Sequence, residues 1–413
     1  MQLGIPSRSR PVDKKEVVIV GAGLAGSVAA IALSRRGRKV ALVCGKAHPQ
    51  DQRTTALMDQ SIRFLDRLGL WEDLQPKAEA LSTMRIIDGT QRLLRAPPAS
   101  FLSSEIDLPA FGYNFSNTEL LATFEAAIAR EPNITLYRNN ASSVHFGNDD
   151  AVVTLDDGTE LGADLVIGAD GRKSLTREAA NVSVRTWSYP QTAVVLNFAH
   201  ALPHNNTSTE FHTESGPFTQ VPLHGNRSSL VWVVQPKEAE RLMALPMEEL
   251  GKIVEQRMQS LLGQVTIENG VQAWPLSGMT ALRYGKGRAV FVGEAAHAFP
   301  PIGAQGLNLS LRDVMVLDEL VGEDLSKPIS ASIGNRFDHR RKVDVLSRTA
   351  SVDLLNRSLL SPFLPVQMVR AAGIHLLSSL SPLRQFVMRE GVSPGKGLGA
   401  FPEMLRSKIT SRF

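Results

Sequence analysis

Glycine residues at the spacing of a dinucleotide-binding turn are the clearest chemical signal in the sequence. Gly21, Gly23 and Gly26 lie in EVVIVGAGLAGSVAAIALSRRGRKVALVC, residues 16–44. Glycine permits a tight turn, close approach of the backbone to a pyrophosphate and close packing of a helix on a strand. The turn follows a β-branched strand, residues 17–20, and precedes a helical pattern, as in a βαβ unit. The predicted dinucleotide site comprises Gly21, Ala22, Gly23, Leu24, Ala25 and Gly26.

The second strand of this unit, residues 40–43, lacks the acidic residue that usually binds the ribose hydroxyls at its end. Cys44 occupies that position, and Asp51 is the next carboxylate along the chain. We therefore expect the adenosine end of a bound dinucleotide to be held less tightly, unless Asp51 reaches back to replace the missing acid.

Two further segments combine small residues with a few polar groups. GADGRKSLTR, residues 168–177, follows an apolar strand and includes Asp170 and Gly171. By itself it is equally well explained as a strand followed by an Asp-Gly turn. GEAAHAFPPIGAQGLN, residues 293–308, is mostly glycine, alanine and proline, with one carboxylate at Glu294. Such residues suit either close contact with a ligand or a tight connection between a strand and a helix.

The composition is that of an ordinary soluble globular protein. The chain has 413 residues, 43% hydrophobic and 21% charged, enough for about two to three domains. Its single cysteine, Cys44, excludes an internal disulfide and favours a reducing compartment, so we expect a cytoplasmic protein. Residues 1–14 have no apolar run and are predicted to be a disordered lead-in rather than a signal peptide. No apolar run is long enough to predict a membrane span.

Several other site classes have little support in the sequence. The net charge of +4 is spread along the chain without interleaved aromatic residues, which disfavours nucleic-acid binding. His200 and His204 are separated by Pro203, without a neighbouring glutamate, so we expect no metal site. No G-x-S-x-G elbow supports a hydrolase. The basic run DHRRK, residues 338–342, is predicted to be a solvated helix face.

Taken together, GAGLAG, GADGRKSLTR and GEAAHAFPPIGAQGLNLSLRD resemble the three flavin motifs of the single-component aromatic hydroxylases, in the same order. The segments RTTALMDQSIRFLDRLGLWEDL and EFHTESGPFTQVPLHGNRSSLVWVV are similar to the subfamily that acts in ubiquinone biosynthesis. The resemblance extends from about residue 15 to about residue 390. It implies an FAD-dependent monooxygenase that hydroxylates a polyprenylated phenol through a flavin C4a-hydroperoxide, with NAD(P)H or another electron donor as co-substrate.

The resemblance also implies which residues contact FAD. Arg53 would reach the cofactor, Glu294 would lie beside the ribityl chain, and Pro301 and Gly303 would position and shield the flavin ring. Glu294 stands where most of these enzymes have aspartate or asparagine, and no acid–base residue is assigned. In addition to Pro301 and Gly303, the contacts implied are Asp170, Gly171, Gly293, Ala304, Gln305, Gly306, Leu307 and Asn308.

The expected fold is α/β, with a Rossmann-like FAD-binding domain, an inserted mainly antiparallel β-sheet for the substrate and a helical C-terminal region. The alternating patterns TAVVLNFAH and SLVWVVQ favour strands with one buried face. The predicted boundaries are 15–85, 105–185 and 280–345 for the FAD-binding domain, 86–104 and 186–279 for the substrate domain, and 346–413 for the C-terminal region.

Alternatives remain for the substrate and for the role of the flavin. A hydroxylase of a soluble aromatic compound would have the same motifs, as would a halogenase or a redox-silent FAD-binding subunit. The leucine-rich segment 354–390 contains Arg357, Arg370, Arg384 and Arg389. It is explained either by core helices or by peripheral docking on the inner face of a membrane, or on other quinone-biosynthesis proteins.

Overall fold

The computed structural model of the protein describes residues 13–45, 51, 53–90, 97–147, 149–268, 270–300, 305–360 and 381–392. Residues 1–12 of the predicted lead-in lie outside this part, and residues 13–14 begin the first strand. None of the helices in the described part is long and apolar enough to cross a membrane. These helices are α1 Leu24–Arg35, α2 Asp59–Arg67, α3 Trp71–Leu74, α4 Asn117–Ala129, α5 Leu175–Ala179, α6 Pro236–Met243, α7 Met247–Arg257, α8 Gln305–Gly322, α9 Ile333–Leu360 and α10 Ser381–Val392.

The first sheet has a parallel centre, in the order β19-β11-β1-β2-β8. Val17 and Ile19 of β1 pack in a cluster with residues of α1 and α8. Val18 and Val20 pack against the antiparallel β9 and β10 on the other face. Because both faces are covered, the second half of β1, residues 17–20, is an uninterrupted apolar run, as expected for the centre of an α/β fold. The strands are β1 Asp13–Val20, β2 Val40–Val43, β8 Ile134–Tyr137, β9 Ala141–Phe146, β10 Ala151–Leu155, β11 Glu160–Gly168, β18 Gly285–Lys286 and β19 Ala289–Phe291.

The second sheet is antiparallel except where β5 and β13 run parallel, which confirms the predicted mainly antiparallel sheet. Trp232 and Leu196 lie in a core with residues of α6 and α7. Val195 and Val233 are also buried, on the opposite face. The expectation of one buried face is therefore wrong for these strands, because their second face packs against the rest of the molecule. The strands are β5 Thr83–Asp88, β6 Ala99–Leu102, β12 Val184–His200, β13 Thr207–Thr213, β14 Gly216–Leu223, β15 Arg227–Val234, β16 Val265–Ile267, β17 Gln272–Ala281 and β20 His297–Ala298.

A small third sheet connects the two larger ones. It contains β3 Thr54–Met58, β4 Glu79–Ala80 and β7 Gly112–Ser116. The hydroxyl oxygens of Thr54 and Ser229 are 2.8 Å apart. The Asn114 amide donates a 2.9 Å hydrogen bond to the Pro222 carbonyl oxygen. These contacts join the third sheet to the face of the second sheet that lies opposite α6 and α7.

Candidate functional site

The three glycine-containing motifs begin where three neighbouring strands of the first sheet end. β1, β11 and β19 end in register at Val20, Gly168 and Phe291. The glycine turn, the Asp-Gly motif and the Gly-Glu motif each follow one of these ends. The carboxyl ends of parallel strands share one edge of the sheet, which is where ligands of α/β folds bind. Motifs that are far apart in sequence therefore form one candidate site.

The glycine turn contains two glycines with different surroundings. A Cβ atom on Gly26 would lie 1.9 Å from the Gly21 carbonyl oxygen, so α1 packs directly on the turn. Gly21 has φ +103°, in the region that favours glycine. A Cβ atom on Gly23 would have no described heavy atom within 4 Å. Gly23 thus leaves open space before the N-terminus of α1, where backbone N–H groups favour an anionic phosphate.

Asp170 places a partly buried carboxylate beside this turn. One oxygen, Oδ2, accepts hydrogen bonds from the backbone N–H and the hydroxyl of Thr176, at 3.0 and 3.1 Å. The other oxygen, Oδ1, is buried and has no hydrogen-bond partner among the described residues. Gly171 follows with φ +79°. A buried acceptor without a donor is uncommon in folded proteins, and a ligand hydroxyl at this position would satisfy it.

A buried charge network holds the third motif. The backbone N–H of Gly293 donates to Oδ2 of Asp313 at 3.1 Å, and Nε2 of His297 lies 2.7 Å from the same oxygen. Nε of Arg341 donates to Oδ1 of Asp313 at 2.8 Å. His297, Asp313 and Arg341 are each at most 2% exposed. The network joins the motif to α8 and α9.

The position of Arg341 corrects the prediction for the basic run DHRRK. Arg340, in the same run, is half-exposed and pairs with Glu319, as a solvated helix face would. Arg341 instead points inward to Asp313 and Asp344, at 2.8 and 2.6 Å. The prediction of a solvated face is therefore wrong for Arg341, because its acidic partner Asp313 lies on another helix. His297 and Asp313 lie in the third motif, but no pattern in the sequence marks them as site residues.

Arg53 lies at the junction between the candidate site and the second sheet. Its guanidinium donates hydrogen bonds of 2.8 Å to both carboxylate oxygens of Asp51 and lies 5.3 Å from the Trp274 ring centroid. The Asp51 hydrogen bonds raise the pKa of Arg53, with a smaller contribution from Glu294. Burial raises the pKa of Asp51, but hydrogen bonds from Arg53 and Asn117 outweigh burial and leave it below the usual value. Asp51 is therefore already engaged in this part of the site.

Glu294 and the start of α8 complete the predicted contacts. Glu294 is half-exposed, and its carboxylate is 3.7 Å from Nε of Arg172. Asn308 joins α8 to β3 and α2: its amide donates to the Ala56 carbonyl oxygen of β3, and its side-chain oxygen accepts from the Ser61 hydroxyl of α2. Gln305, Gly306 and Leu307 lie with Asn308 in the first turn of α8. Pro301, Gly303 and Ala304 lie outside the described residues.

Cys44 lies at the same edge of the sheet, directly after β2. Its backbone N–H and its thiol both donate to the Tyr137 carbonyl oxygen, at 2.9 and 3.2 Å. Burial raises the pKa of the Cys44 thiol, so this position carries no negative charge near neutral pH. The usual carboxylate acceptor for ribose hydroxyls is therefore missing at this strand end.

We expect the Cys44→Glu variant to bind FAD roughly tenfold more tightly, because a hydrogen bond to a charged acceptor contributes about 1.5–3 kcal/mol. FAD affinity is measured by titration of the apoprotein, with Cys44→Gln as the uncharged control of similar shape. Equal affinities for the wild type and both variants would mean that another group already binds the ribose.

Three features of this edge fit the FAD that the resemblance implies. Gly23 leaves space where a phosphate would approach the α1 N-terminus. Asp170 offers a buried oxygen that lacks a donor among the described residues. Arg53 provides a cation 5.3 Å from the Trp274 ring centroid. This set of residues fits the phosphate, hydroxyl and ring-bearing groups of a dinucleotide.

The chain is similar to known flavoproteins along most of its length. The FAD binding domain family matches residues 14–342 of the chain. The chain is 33% identical to ubiquinone hydroxylase UbiL of Rhodospirillum rubrum, over 97% of this chain and 95% of that protein. It is 29% identical to 3-demethoxyubiquinol 3-hydroxylase of Escherichia coli, over 87% of this chain and 93% of that protein.

The fold also has close counterparts among solved structures. The structure of p-nitrophenol 4-monooxygenase PnpA from Pseudomonas putida matches with a TM-score of 0.76 and 18% identity. The match covers 94% of this chain and 99% of that chain. At this identity the likeness shows the fold alone.

Proposed function

The chain belongs to the FAD binding domain family and is an FAD-dependent monooxygenase, and we propose that it hydroxylates the aromatic ring of a polyprenylated phenol in ubiquinone biosynthesis. The observation that carries the proposal is the 33% identity to a ubiquinone hydroxylase across 97% of this chain. The electron donor in the proposal is NAD(P)H or another reductant. Bound FAD, once reduced, supplies the activation of dioxygen.

The proposed role of the protein is to hold the cofactor and to keep water from the reacting atoms. The α1 N-terminus at Gly23 would bind the pyrophosphate, and Asp170 would accept a hydrogen bond from a cofactor hydroxyl. Arg53 would give up one of its two hydrogen bonds to Asp51 and contact the cofactor with the released N–H group. The segment from Pro301 to Asn308 is proposed to surround the flavin ring.

The division into domains is part of the same proposal. The FAD-binding domain would comprise 15–85, 105–185 and 280–345, and the substrate domain 86–104 and 186–279. The pairing of β5 and β6 with the second sheet supports the assignment of at least part of the first insertion to the substrate side. Residues 346–413 would form the C-terminal region.

A polyprenylated substrate resides in a bilayer, so we also propose weak association with anionic membranes or with other quinone-biosynthesis proteins. In the part of segment 354–390 that the structure describes, Arg384 pairs with Glu105 and Arg389 with Asp107. These two arginines bind within the protein and favour the core-helix interpretation for α10. Support for membrane association is therefore limited to the net charge of +4 and the chemistry of the substrate.

We expect faster hydroxylation of a phenol with a short prenyl chain than of the same ring without it. The prenyl chain adds apolar surface, and each buried CH₂ contributes about 0.8 kcal/mol to binding. Product is measured with FAD-loaded protein, dioxygen and NAD(P)H, with and without anionic lipid vesicles. Equal turnover of both rings, indifferent to lipid, would identify a hydroxylase of soluble aromatic compounds. FAD that binds but is never reduced would identify a redox-silent subunit.

A further inference from the structure

The second and third motifs are joined below the surface by a buried arginine. Arg177 is 4% exposed, and its guanidinium donates to the carbonyl oxygens of Ala295 and Arg172, at 2.7 and 2.8 Å. Buried N–H groups are costly to leave without acceptors, so these two hydrogen bonds are strongly favoured. Arg177 therefore fixes the backbone of residue 172 beside the backbone that carries Glu294.

The side chain of Arg172 lies outside this buried contact and reaches two other parts of the molecule. Its Nη1 donates a 2.8 Å hydrogen bond to the Ser277 hydroxyl on β17, in the second sheet. Its Nε lies 3.7 Å from Oε2 of Glu294, in the third motif. The side chains of Arg172 and Glu294 are 44% and 54% exposed, and an ion pair this open to water contributes little to folding stability. A role for the pair is therefore to be sought in ligand binding.

Glu294 is longer than the aspartate or asparagine that most of the resembling enzymes have at this position. The additional methylene carries its carboxylate farther from the backbone, and here that carboxylate extends toward Arg172. An aspartate would be one C–C bond shorter, so the 3.7 Å contact would lengthen. The length of Glu294 therefore matches the position of the Arg172 guanidinium.

We infer that Arg172 is a positioning residue for FAD, which orients the Glu294 carboxylate to accept a hydrogen bond from the ribityl chain. The inference rests on the proposed function, since it requires FAD with its ribityl chain beside Glu294. A carboxylate has two oxygens, so Oε2 can face Arg172 while Oε1 accepts from the cofactor. Without Arg172 a half-exposed glutamate occupies several rotamers, and FAD binding must then bear the entropy cost of selecting one. Because Arg172 is itself bound to Ser277, the orientation of Glu294 is set from the second sheet.

The test is a double-mutant cycle in which the apoproteins are titrated with FAD and binding is followed by flavin fluorescence. Arg172→Gln should weaken FAD binding about fivefold, and Glu294→Gln about tenfold. The double variant should bind no more weakly than Glu294→Gln, because Arg172 acts only through the carboxylate. Lys173→Gln is the matched control, since it removes the same charge from the next residue, which is also exposed. It should bind FAD as the wild type does, which excludes a general attraction between the basic segment and the anionic cofactor.

A shorter acid and a stability measurement separate positioning from a structural role. Glu294→Asp keeps the charge but withdraws it from Arg172, so it should weaken FAD binding about as much as Arg172→Gln does. Urea unfolding of the apoproteins should be the same for the wild type and every variant, because the pair is half-exposed. Additive losses in the double variant, wild-type affinity in Arg172→Gln or Glu294→Asp, or a loss of apoprotein stability in Arg172→Gln would overturn the inference. A wild-type protein that binds no FAD would instead reject the proposed function.

Discussion

The Gly26→Val variant should fail to accumulate as folded protein, whereas Gly23→Val should fold and lose its FAD. At position 26 even a Cβ atom would lie 1.9 Å from the Gly21 carbonyl oxygen, and backbone cannot move aside without opening the β1–α1 contact. We expect a loss of at least about 3 kcal/mol in the free energy of unfolding. At position 23 a Cβ atom meets no described atom within 4 Å, so valine fits the apoprotein.

The loss of FAD in Gly23→Val has a steric cause, because valine would fill the space that a pyrophosphate needs. We expect FAD to bind at least about 100-fold more weakly, which corresponds to ~2.7 kcal/mol. Soluble yield, urea unfolding of the apoproteins and FAD titration give the three measurements. The two variants control for each other, since the substitution is the same and the positions share one turn. A yellow Gly23→Val protein with wild-type affinity would refute the assignment of this turn.

Local patterns were sufficient to predict the βαβ unit and its glycine turn. The apolar run of β1 and the glycine spacing can be recognised from residues that are adjacent in the sequence. For this reason the predicted helix and second strand agree with α1 and β2. The three motifs share one edge of the first sheet because β1, β11 and β19 end in register. The order of the motifs along the chain is compatible with this register but does not specify it.

Contacts between distant segments were not predictable in the same way. DHRRK has the composition of a solvated helix face, and only the packing of α9 on α8 shows that Arg341 is buried against Asp313. His212 and Glu210 follow the alternation of a strand, but their position on the same face as Ser229 depends on the order of β13, β14 and β15. Burial and partner choice are properties of the whole fold, whereas a sequence pattern reports on near neighbours.

The Arg341→Met variant should lose about 3–5 kcal/mol of stability, because it leaves Asp313 charged, buried and short of a partner. Arg340→Met is the matched control, one residue away on the same helix. Its partner Glu319 and the arginine itself are half-exposed, so we expect a change of less than about 1 kcal/mol. Urea unfolding of both variants, without FAD, measures the difference. Equal effects at the two positions would contradict the proposed importance of the buried pair.

The same network predicts a pH dependence that identifies Asp313 as its centre. Burial raises the pKa of Asp313, but His297, Arg341 and the Gly293 N–H outweigh burial and leave it below the ordinary value of 3.8. A lowered pKa in the folded state stabilises the protein above the unfolded-state pKa, and this contribution is lost as the pH falls through the folded-state pKa. The stability difference between wild type and Asp313→Asn should therefore be largest above pH 3.8 and shrink below it. Because Asp313 also holds the N–H of Gly293, the variant should bind FAD more weakly than Arg340→Met at neutral pH. A constant difference across the acid range would mean that packing alone, without the carboxylate charge, holds the third motif in place.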